Sequence, residues 1–142
     1  MKKAIATKKA PVAIGPYSQA IQAGQVFFCA GQIHIDPNTG ALVTGDISKM
    51  TKRVMDNLKA VLEEAGAGME HVVKTTVYMT DLADFPKMNE TYATYFKEPY
   101  PARATVQVAA LPKGARIEIE AMAVVPVEYN HCGGCGEECQ CD

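Results

Sequence analysis

The sequence predicts an α+β fold, with two helices packed on one face of a mixed β-sheet. Six strand-like segments and two helix-like segments follow one another in the order β-β-β-α-β-α-β-β. Each helix-like segment has a single apolar stripe, so each covers one side of the sheet. Two of the strand-like segments are apolar on both faces, which indicates that the second side of the sheet is covered as well.

The composition indicates one globular domain. The chain has 142 residues, of which 48% are hydrophobic and 21% charged, and this is enough for a sizeable core. We expect the domain over residues 1–127 and a cysteine-rich tail over residues 128–142. The formal net charge of −2, without a basic cluster, argues against a dedicated nucleic-acid-binding protein. No apolar run is long enough for a signal peptide or a membrane span, so we expect a cytoplasmic protein.

Strands are predicted where apolar and β-branched residues alternate or cluster between turn signals. The predicted strands are Lys2 to Thr7, Ser18 to Ala23, Gln25 to Ile33 and His71 to Met79, followed by two arms within Pro101 to Ala121, the second of which continues to about Val125. In the third strand, alternation places Phe27, Cys29 and Ile33 on one face. Cys29 is therefore expected to be a buried, reduced core residue. The stretch from Ala10 to Tyr17 contains two prolines and a glycine and is predicted as a shaped loop.

Two helices are predicted from apolar residues at helical spacing. The first runs from Asp46 to Ala65, where Asp46 and Ser48 are alternative capping residues. The second runs from about Asp84 to Phe96, with Pro86 tolerated in its first turn.

The segment from Pro101 to Ala121 is predicted as an antiparallel hairpin around a turn that contains Pro112 and Gly114. In such a hairpin, the alternating polar side chains share one face. These side chains are Arg103, Thr105, Glu118 and Glu120. The spacing alone favours a solvated cross-strand ion pair, which contributes little to stability.

The uncovered face of the sheet changes the interpretation of this polar face. The second apolar side of the sheet is expected to pack on the same side of sister subunits, which predicts a homo-oligomer. A polar face beside such an interface lies in a cleft rather than in open water. Arg103 and Glu118 then become candidates for a functional site.

The sequence resembles one known family from Lys2 to Val127. Its most specific segment runs from Ala102 through the Leu111-Pro112-Lys113-Gly114 turn to Ala121. Further matching segments are Ala13-Ile14-Gly15-Pro16-Tyr17-Ser18, Gly31-Gln32-Ile33, Asp36-Pro37-Asn38-Thr39-Gly40 and Asn89-Glu90-Thr91-Tyr92. With these segments the chain resembles the Rid family of reactive-intermediate deaminases, formerly called YjgF and also described as endoribonuclease L-PSP.

The resemblance implies a fold, an assembly and an activity. It implies a chorismate-mutase-like subunit in a homotrimer, with active sites in the clefts between subunits. It implies hydrolysis of 2-imino acids, such as 2-iminobutanoate and 2-iminopropanoate, to 2-keto acids and ammonia. These substrates arise from enamines released by pyridoxal-phosphate-dependent dehydratases, so the activity limits damage by reactive metabolites. No metal or organic cofactor is expected in the active site.

The resemblance also implies roles for particular residues. Arg103 is expected to hold the substrate carboxylate, and Glu118 to orient the attacking water. Tyr17 matches the family tyrosine that reaches into the pocket. Further substrate contacts are expected from Ala104, the backbone N–H of Thr105, Gly31 and Asn89. The chain departs from many deaminating relatives at two positions, with Thr105 in place of a cysteine and Ala30 in place of a serine.

Two other functions remain open from the sequence. One is a trimer that binds small carboxylates without turnover, which needs Arg103 but not Glu118. The other is RNA cleavage, against which the acidic balance argues. The three histidines, His34, His71 and His131, have no evident partners for phosphodiester chemistry.

The tail beyond the usual family length contains four cysteines, Cys132, Cys135, Cys139 and Cys141. Thiolates at these short spacings are suited to zinc or another soft metal. The alternative interpretation is a redox-sensitive tail without an ordered metal, because the spacing matches no standard zinc motif.

Overall fold

Residues 1–127, as described in a computed structural model, form six strands and two α-helices. In chain order these are β1 (Lys2–Ile5), β2 (Ala20–Ala23), β3 (Val26–Ile33), α1 (Ile47–Glu64), β4 (Val72–Met79), α2 (Phe85–Ala93), β5 (Ala102–Gln107) and β6 (Ile117–Val124). The predicted element order and the α+β class are confirmed. The predicted cysteine-rich tail, residues 128–142, lies outside the described residues.

Helix α1 follows its sequence signals closely. The Asp46 side chain accepts a hydrogen bond from the Lys49 N–H at 3.0 Å, so Asp46 rather than Ser48 caps the helix. Its buried stripe includes Val54, Leu58 and Leu62. These side chains pack on the face of the sheet that carries the core residues of β6, and each buried side chain of this size contributes roughly 2 kcal/mol.

Helix α2 is shorter than predicted. It ends at Ala93, whereas the apolar stripe predicted a helix that continues to Phe96. The N–H groups of Tyr95 and Phe96 donate to the carbonyls three residues earlier, which is the tighter bonding of a final turn. Helix α2 packs against α1, and both helices lie on the same face of the sheet.

The six strands form one sheet in the order β1-β2-β3-β6-β4-β5. All neighbours are antiparallel except β4 and β5, which are parallel. The predicted hairpin of β5 with β6 is therefore wrong. Strand β6 takes a central place with two partners, and the chain between β5 and β6 passes around the end of β4. The Val108 N–H donates to Met79 O at 2.8 Å, and the Thr80 N–H donates to Arg116 O at 3.1 Å, which fixes this connection.

This topology separates the polar residues that the hairpin was expected to gather. Arg103 is the register partner of Thr75 on β4, whose side chain is buried under the helices. Glu118 is the register partner of Tyr78, one residue out of phase with the core-facing positions of β4. Arg103 and Thr105 therefore lie on the helix-covered face, and Glu118 with Glu120 lies on the opposite face. The prediction that the four share one face is wrong.

Strand β3 contains a β-bulge. Its register with β6 shifts between Cys29 and Gln32. Gln32 is buried as a result, and Ile33 pairs with Glu118 on the opposite face. The prediction that Ile33 shares a face with Phe27 and Cys29 is wrong, because simple alternation does not include the extra residue. The prediction that Cys29 is buried is confirmed.

The face of the sheet away from the helices is partly apolar and open. Phe28 is 45% exposed, Val106 42% and Val124 37%. All three belong to this face by their register partners. None of the helices in residues 1–127 is long and apolar enough to cross a membrane.

Candidate functional site

The first group of functional side chains surrounds Arg103 and is called the anchor cluster, comprising Arg103, Asn89, Phe85 and Tyr92. The Arg103 guanidinium carbon lies 4.8 Å from the Tyr92 ring centroid and 5.4 Å from the Phe85 ring centroid. Its Nη1 donates to Asn89 Oδ1 at 2.7 Å. Cation–π contacts and a planar hydrogen bond both orient the guanidinium before any ligand binds.

The anchor cluster opens into a cavity of about 460 Å³. Its lining consists of Asn89, Tyr92, Ala93, Tyr100, Pro101 and Arg103. A cavity of this size accommodates a small carboxylate. The hydrogen bond to Asn89 uses one nitrogen of the guanidinium. Within the described residues, Nη2 and Nε of Arg103 have no acceptor, which leaves them for an anionic ligand.

Ala104 and Thr105 follow Arg103 on β5, the last strand of the sheet. Ala104 is exposed and Thr105 is half-buried. The Thr105 Oγ1 is buried without a hydrogen-bond partner among residues 1–127. Because β5 is an edge strand, one side of its backbone is free for a ligand or for another chain.

The second group surrounds Glu118 and is called the carboxylate cluster, comprising Glu118, Glu120, Gly31 and Tyr78. A methyl group built on Gly31 would lie 2.9 Å from Glu118 Cδ and Oε1, so the carboxyl rests directly on the Gly31 backbone. Burial, and secondly the charge of Glu120, raise the pKa of Glu118. A carboxyl with a raised pKa is suited to exchange protons with a reacting group near neutral pH.

Glu120 has a different environment. It is exposed and accepts a hydrogen bond from the Tyr78 hydroxyl at 3.0 Å. This bond raises the pKa of Tyr78, because the neutral phenol is the donor. Glu120 is therefore engaged with a neighbouring side chain on the open face of the sheet.

Tyr17 lies at the end of the loop predicted between Ala10 and Tyr17. Its side chain is 53% exposed and lines a groove of about 460 Å³ beside β1. The buried Gln19 organises this loop. Its Oε1 accepts from the Thr7 N–H at 2.7 Å, and its Nε2 donates to Pro11 O at 2.7 Å. This role of Gln19 was not predictable from the sequence, because a single glutamine beside a loop is usually exposed.

The structure thus brings the predicted site residues together in two groups rather than one, and Tyr17 lies apart from both in the groove beside β1. Asn89 and Thr105 accompany Arg103 on the helix side, and Gly31 accompanies Glu118 on the open side. Tyr92 and Tyr100 line the anchor cavity but were not predicted as site residues. Tyr92 belongs to the apolar stripe of α2, and residues of such a stripe are usually assigned to the core rather than to a binding site.

Two histidines serve the fold. The buried His34 lies with Nδ1 2.9 Å from Val43 O, and its Nε2 accepts from the Arg116 N–H at 3.0 Å. His71 Nδ1 accepts from the Gly68 N–H at 3.0 Å. Each of them has a structural partner that the sequence did not reveal. Arg116 in turn forms an ion pair with Asp84 at the start of α2.

Among residues 1–127, no group of three or more histidine, cysteine, aspartate or glutamate side chains is placed to hold an ion. Burial raises the pKa of the Cys29 thiol to about 11, so the thiol is protonated near neutral pH. Cys132, Cys135, Cys139 and Cys141, for which a site for zinc or another soft metal and a metal-free redox-sensitive tail were the alternatives, lie outside the described residues.

Comparison with known proteins gives consistent similarities. The family model described as Endoribonuclease L-PSP matches residues 7–125. A RutC family protein of Pyrococcus abyssi is 60% identical over 86% of this chain and 96% of its own length. The mouse protein named 2-iminobutanoate/2-iminopropanoate deaminase is 50% identical over 87% of this chain and 92% of its own length. The crystal structure of YyfA from Yersinia pestis, described as a protein of the conserved Rid family, is 50% identical with a TM-score of 0.86, and the match covers 88% of this chain and all of that one.

Proposed function

Because the chain belongs to the endoribonuclease L-PSP family, also called the Rid family, we propose that it hydrolyses 2-imino acids to 2-keto acids and ammonia. The proposed substrates are 2-iminobutanoate and 2-iminopropanoate, for which the mouse relative is named. The observation that carries the proposal is Arg103, whose guanidinium is pre-aligned at a small cavity with donors left for a carboxylate.

Substrate binding is proposed to begin at Arg103. A 2-imino acid has a carboxylate next to its C=N carbon, and the free Nη2 and Nε donors match two carboxylate oxygens. Asn89 holds the guanidinium by its other nitrogen. Ala104 and the Thr105 backbone N–H lie next along the edge strand and are proposed to complete the carboxylate site.

Glu118 is proposed to act as the general base toward the attacking water and then as the general acid toward the leaving nitrogen. The carboxylate accepts a proton from water as the water oxygen forms a bond to the iminium carbon, giving a carbinolamine. The resulting carboxylic acid then protonates the amine nitrogen and returns to the carboxylate. The C–N bond breaks with its electron pair on the leaving ammonia, the hydroxyl oxygen forms the C=O bond, and the hydroxyl proton passes to the ammonia, which gives the 2-keto acid and ammonium. The raised pKa of Glu118 makes its carboxylate a better proton acceptor than an exposed glutamate, while the carboxylic acid remains acidic enough to protonate the amine nitrogen. The substrate is already electrophilic, so the reaction needs no metal or organic cofactor.

Two further residues have supporting roles in this proposal. Gly31 lets the Glu118 carboxyl rest on the main chain, which limits its motion. The exposed Tyr17 hydroxyl is proposed to contact the substrate or the attacking water from the groove beside β1.

The site is proposed to form between two copies of the chain in a homotrimer. Within one copy, Arg103 and Glu118 lie on opposite faces of the sheet, so one copy does not supply both to one substrate. The open face carries exposed apolar side chains, including Phe28 and Val106, that a second copy would cover. The edge strand that carries Arg103 then approaches the carboxylate cluster of the next subunit.

A coupled assay tests the proposal. A pyridoxal-phosphate-dependent threonine dehydratase generates 2-iminobutanoate, and semicarbazide traps the imine that survives. The wild-type protein is expected to lower the trapped imine, whereas Arg103→Ala and Glu118→Gln are expected to lose about 100-fold or more in rate. Glu120→Gln is the matched control and is expected to stay within about threefold of wild type, because burial, the larger cause of the raised Glu118 pKa, is unchanged in this variant.

Two results would contradict this function. An inert wild-type protein that still binds 2-ketobutyrate would indicate a carboxylate-binding trimer without turnover. Equal losses in Glu118→Gln and Glu120→Gln would remove the proposed distinction between the two carboxylates.

A further inference from the structure

Three residues on three elements meet at the anchor cluster. Thr75 on β4 and Arg103 on β5 are register partners in a parallel pair, so their side chains stand next to each other on the helix-covered face. Tyr92 on α2 lies above them. Thr75 is 1% exposed and Tyr92 5%, and their hydroxyl oxygens are 2.7 Å apart. The two buried hydroxyls therefore share a hydrogen bond beside the arginine.

The Tyr92 ring is held from three directions. Thr75 holds its hydroxyl end, and the Phe96 ring packs on it with the centroids 4.8 Å apart. The Arg103 guanidinium carbon lies 4.8 Å from the Tyr92 centroid. A ring fixed at its hydroxyl and packed on an aromatic neighbour cannot tilt without breaking one of these contacts, so it offers the guanidinium a rigid surface.

Asn89 alone does not provide this rigidity. Its one hydrogen bond fixes a single nitrogen of the guanidinium, about which the plane can still rotate. An aromatic surface restricts that rotation, because the guanidinium gains most when it lies over the ring. The plane of the guanidinium determines where Nη2 and Nε point, and these are the donors left for a ligand.

We propose that Tyr92 and Thr75 are positioning residues for Arg103, and that their hydroxyl pair fixes the aromatic surface on which the substrate-binding guanidinium is oriented. The inference rests on the proposed function for the identity of the ligand. Apolar packing alone would be served equally well by phenylalanine at position 92 and valine at position 75. The paired hydroxyls are therefore explained by orientation of the ring rather than by burial.

Four variants of the full chain test the proposal, with 2-ketobutyrate as the binding probe. Tyr92→Leu removes the ring, Tyr92→Phe and Thr75→Val each remove one hydroxyl, and Thr75→Ser retains the hydroxyl of that position. Tyr95→Leu is the matched control, because it removes a tyrosine three residues away that bonds to Asp56 instead of Thr75.

Tyr92→Leu is expected to raise the Kd of 2-ketobutyrate and the KM of the imine about tenfold with kcat within about threefold. Tyr92→Phe and Thr75→Val are expected to raise both about threefold, and Thr75→Ser to restore wild-type values. Tyr95→Leu is expected to lower the Tm without changing either constant.

A spectroscopic readout reports on the arginine itself. The chain has three arginines, Arg53, Arg103 and Arg116, so the Nε–Hε signal that disappears in Arg103→Lys is that of Arg103. Ring currents from Tyr92 and Phe85 are expected to displace this signal in the wild-type spectrum. Tyr92→Leu is expected to move it toward the position of a solvent-exposed arginine, with only the Phe85 contribution remaining. A merely structural loss of packing in Tyr95→Leu leaves the signal in place.

The two proposals fail in different ways. A wild-type protein that binds 2-ketobutyrate without deaminating the imine overturns the proposed function, while the Kd series still decides the role of Tyr92. A wild-type protein that does not bind 2-ketobutyrate leaves the decision to the Arg103 signal. A folded Tyr92→Leu with the wild-type Arg103 signal, or with wild-type Kd, overturns the inference. If Tyr92→Leu does not fold, the inference is overturned equally by Tyr92→Phe and Thr75→Val variants that have the wild-type Kd, KM and Arg103 Nε–Hε signal.

Discussion

At the residue scale, the surroundings of Arg103 orient its charge, whereas the surroundings of Glu118 disfavour its charged form. Arg103 keeps its charge in contact with aromatic faces and an amide, which fix its direction without neutralising it. Glu118 is held against the Gly31 backbone, where burial and a second carboxylate disfavour its charged form. A fixed cation is suited to bind the permanently charged carboxylate of the substrate. A carboxyl that is readily protonated is suited to take a proton from water and pass it to the substrate nitrogen.

His34 shows how one buried side chain makes the fold sensitive to pH. Its Nε2 accepts a hydrogen bond from the Arg116 N–H, so the ring must be neutral to keep this contact. Burial is the main cause that lowers the pKa of His34, and the charge of Arg116 also lowers it. Because β6 begins directly after Arg116, the contact joins the end of β3 to the start of the strand that carries Glu118.

The sign of the pH effect follows from these contacts. Above the unfolded-state pKa of about 6.5, His34 is neutral in both states and has no effect on the pH dependence. As the pH falls below that value, the unfolded chain takes up a proton that the folded protein refuses, so the free energy of unfolding decreases until the lowered folded-state pKa is reached. Urea unfolding at pH 7.5 and 5.5 measures this decrease.

The variant His34→Gln isolates the contribution. A glutamine side chain offers one donor for Val43 O and one acceptor for the Arg116 N–H, but it does not titrate. We expect this variant to be folded at pH 7.5 and to lose less stability than wild type between pH 7.5 and 5.5. An identical decrease in both proteins would contradict the assignment, because every other titrating group is common to the two.

At the scale of elements, the features that depend on neighbouring residues in the sequence were predicted correctly, and the pairing of distant strands was not. The cap at Asp46 and the apolar stripe of α1 are read from neighbouring residues, and both are confirmed. The pairing of β5 with β4 depends instead on which strand occupies the centre of the sheet. Alternation in the sequence shows that β5 and β6 are strands, but it does not show their partners. The position of Arg103 and Glu118 on opposite faces of the sheet therefore could not be predicted without the strand order.

The bulge in β3 is a second feature that alternation conceals. The extra residue between Cys29 and Gln32 turns the strand so that Gly31 lies against Glu118. The backbone hydrogen bond from the Ala30 N–H to Gln19 O, 2.9 Å, joins this bulge to the residue that organises the Tyr17 loop. The bulge thus connects two segments that the proposed function uses.

Gly31→Ala tests the importance of the bulge. The added methyl group would lie 2.9 Å from Glu118 Cδ, which forces the carboxyl away from its place on the main chain. We expect deamination to fall by about 10- to 100-fold, because a misplacement of about 1 Å at a reacting group has effects of this size. Binding of 2-ketobutyrate through Arg103 is expected to change less than about threefold. Gly24→Asn is the control, because Gly24 lies at an open turn outside the bulge and asparagine tolerates its left-handed φ of 61°; this variant is expected to retain activity. Wild-type deamination rates in Gly31→Ala would show that the position of Glu118 is not critical.

At the scale of the whole molecule, the sheet has one covered face and one open face, and the proposed reacting groups are divided between them. The two helices bury the apolar residues on one side, as the sequence predicted. The other side exposes Phe28, Val106 and Val124 together with the carboxylate cluster. We propose that a second copy covers this face, which would both bury these side chains and bring a guanidinium to Glu118. The proposed homotrimer accounts for both with one contact between copies.

Mixing two inactive variants tests whether the site is shared between copies. Arg103→Ala and Glu118→Gln are each expected to be inactive alone. If they are unfolded together and refolded at equal amounts, random closed rings contain interfaces at which an intact Arg103 meets an intact Glu118. Such interfaces are about one quarter of the total, so about one quarter of the wild-type activity is expected in the mixture.

The mixing experiment has the opposite outcome if each site belongs to a single copy. If one copy supplied both residues to a site, every site in the mixture would lack one of them, and no activity would return. Wild-type protein refolded in the same way shows how much activity survives the procedure, and each variant refolded alone gives the background. Sedimentation of the mixture at low micromolar concentration shows whether the copies assemble. An assembled but inactive mixture, with an active wild-type control, would indicate that one copy supplies both residues to each site and would overturn the shared site.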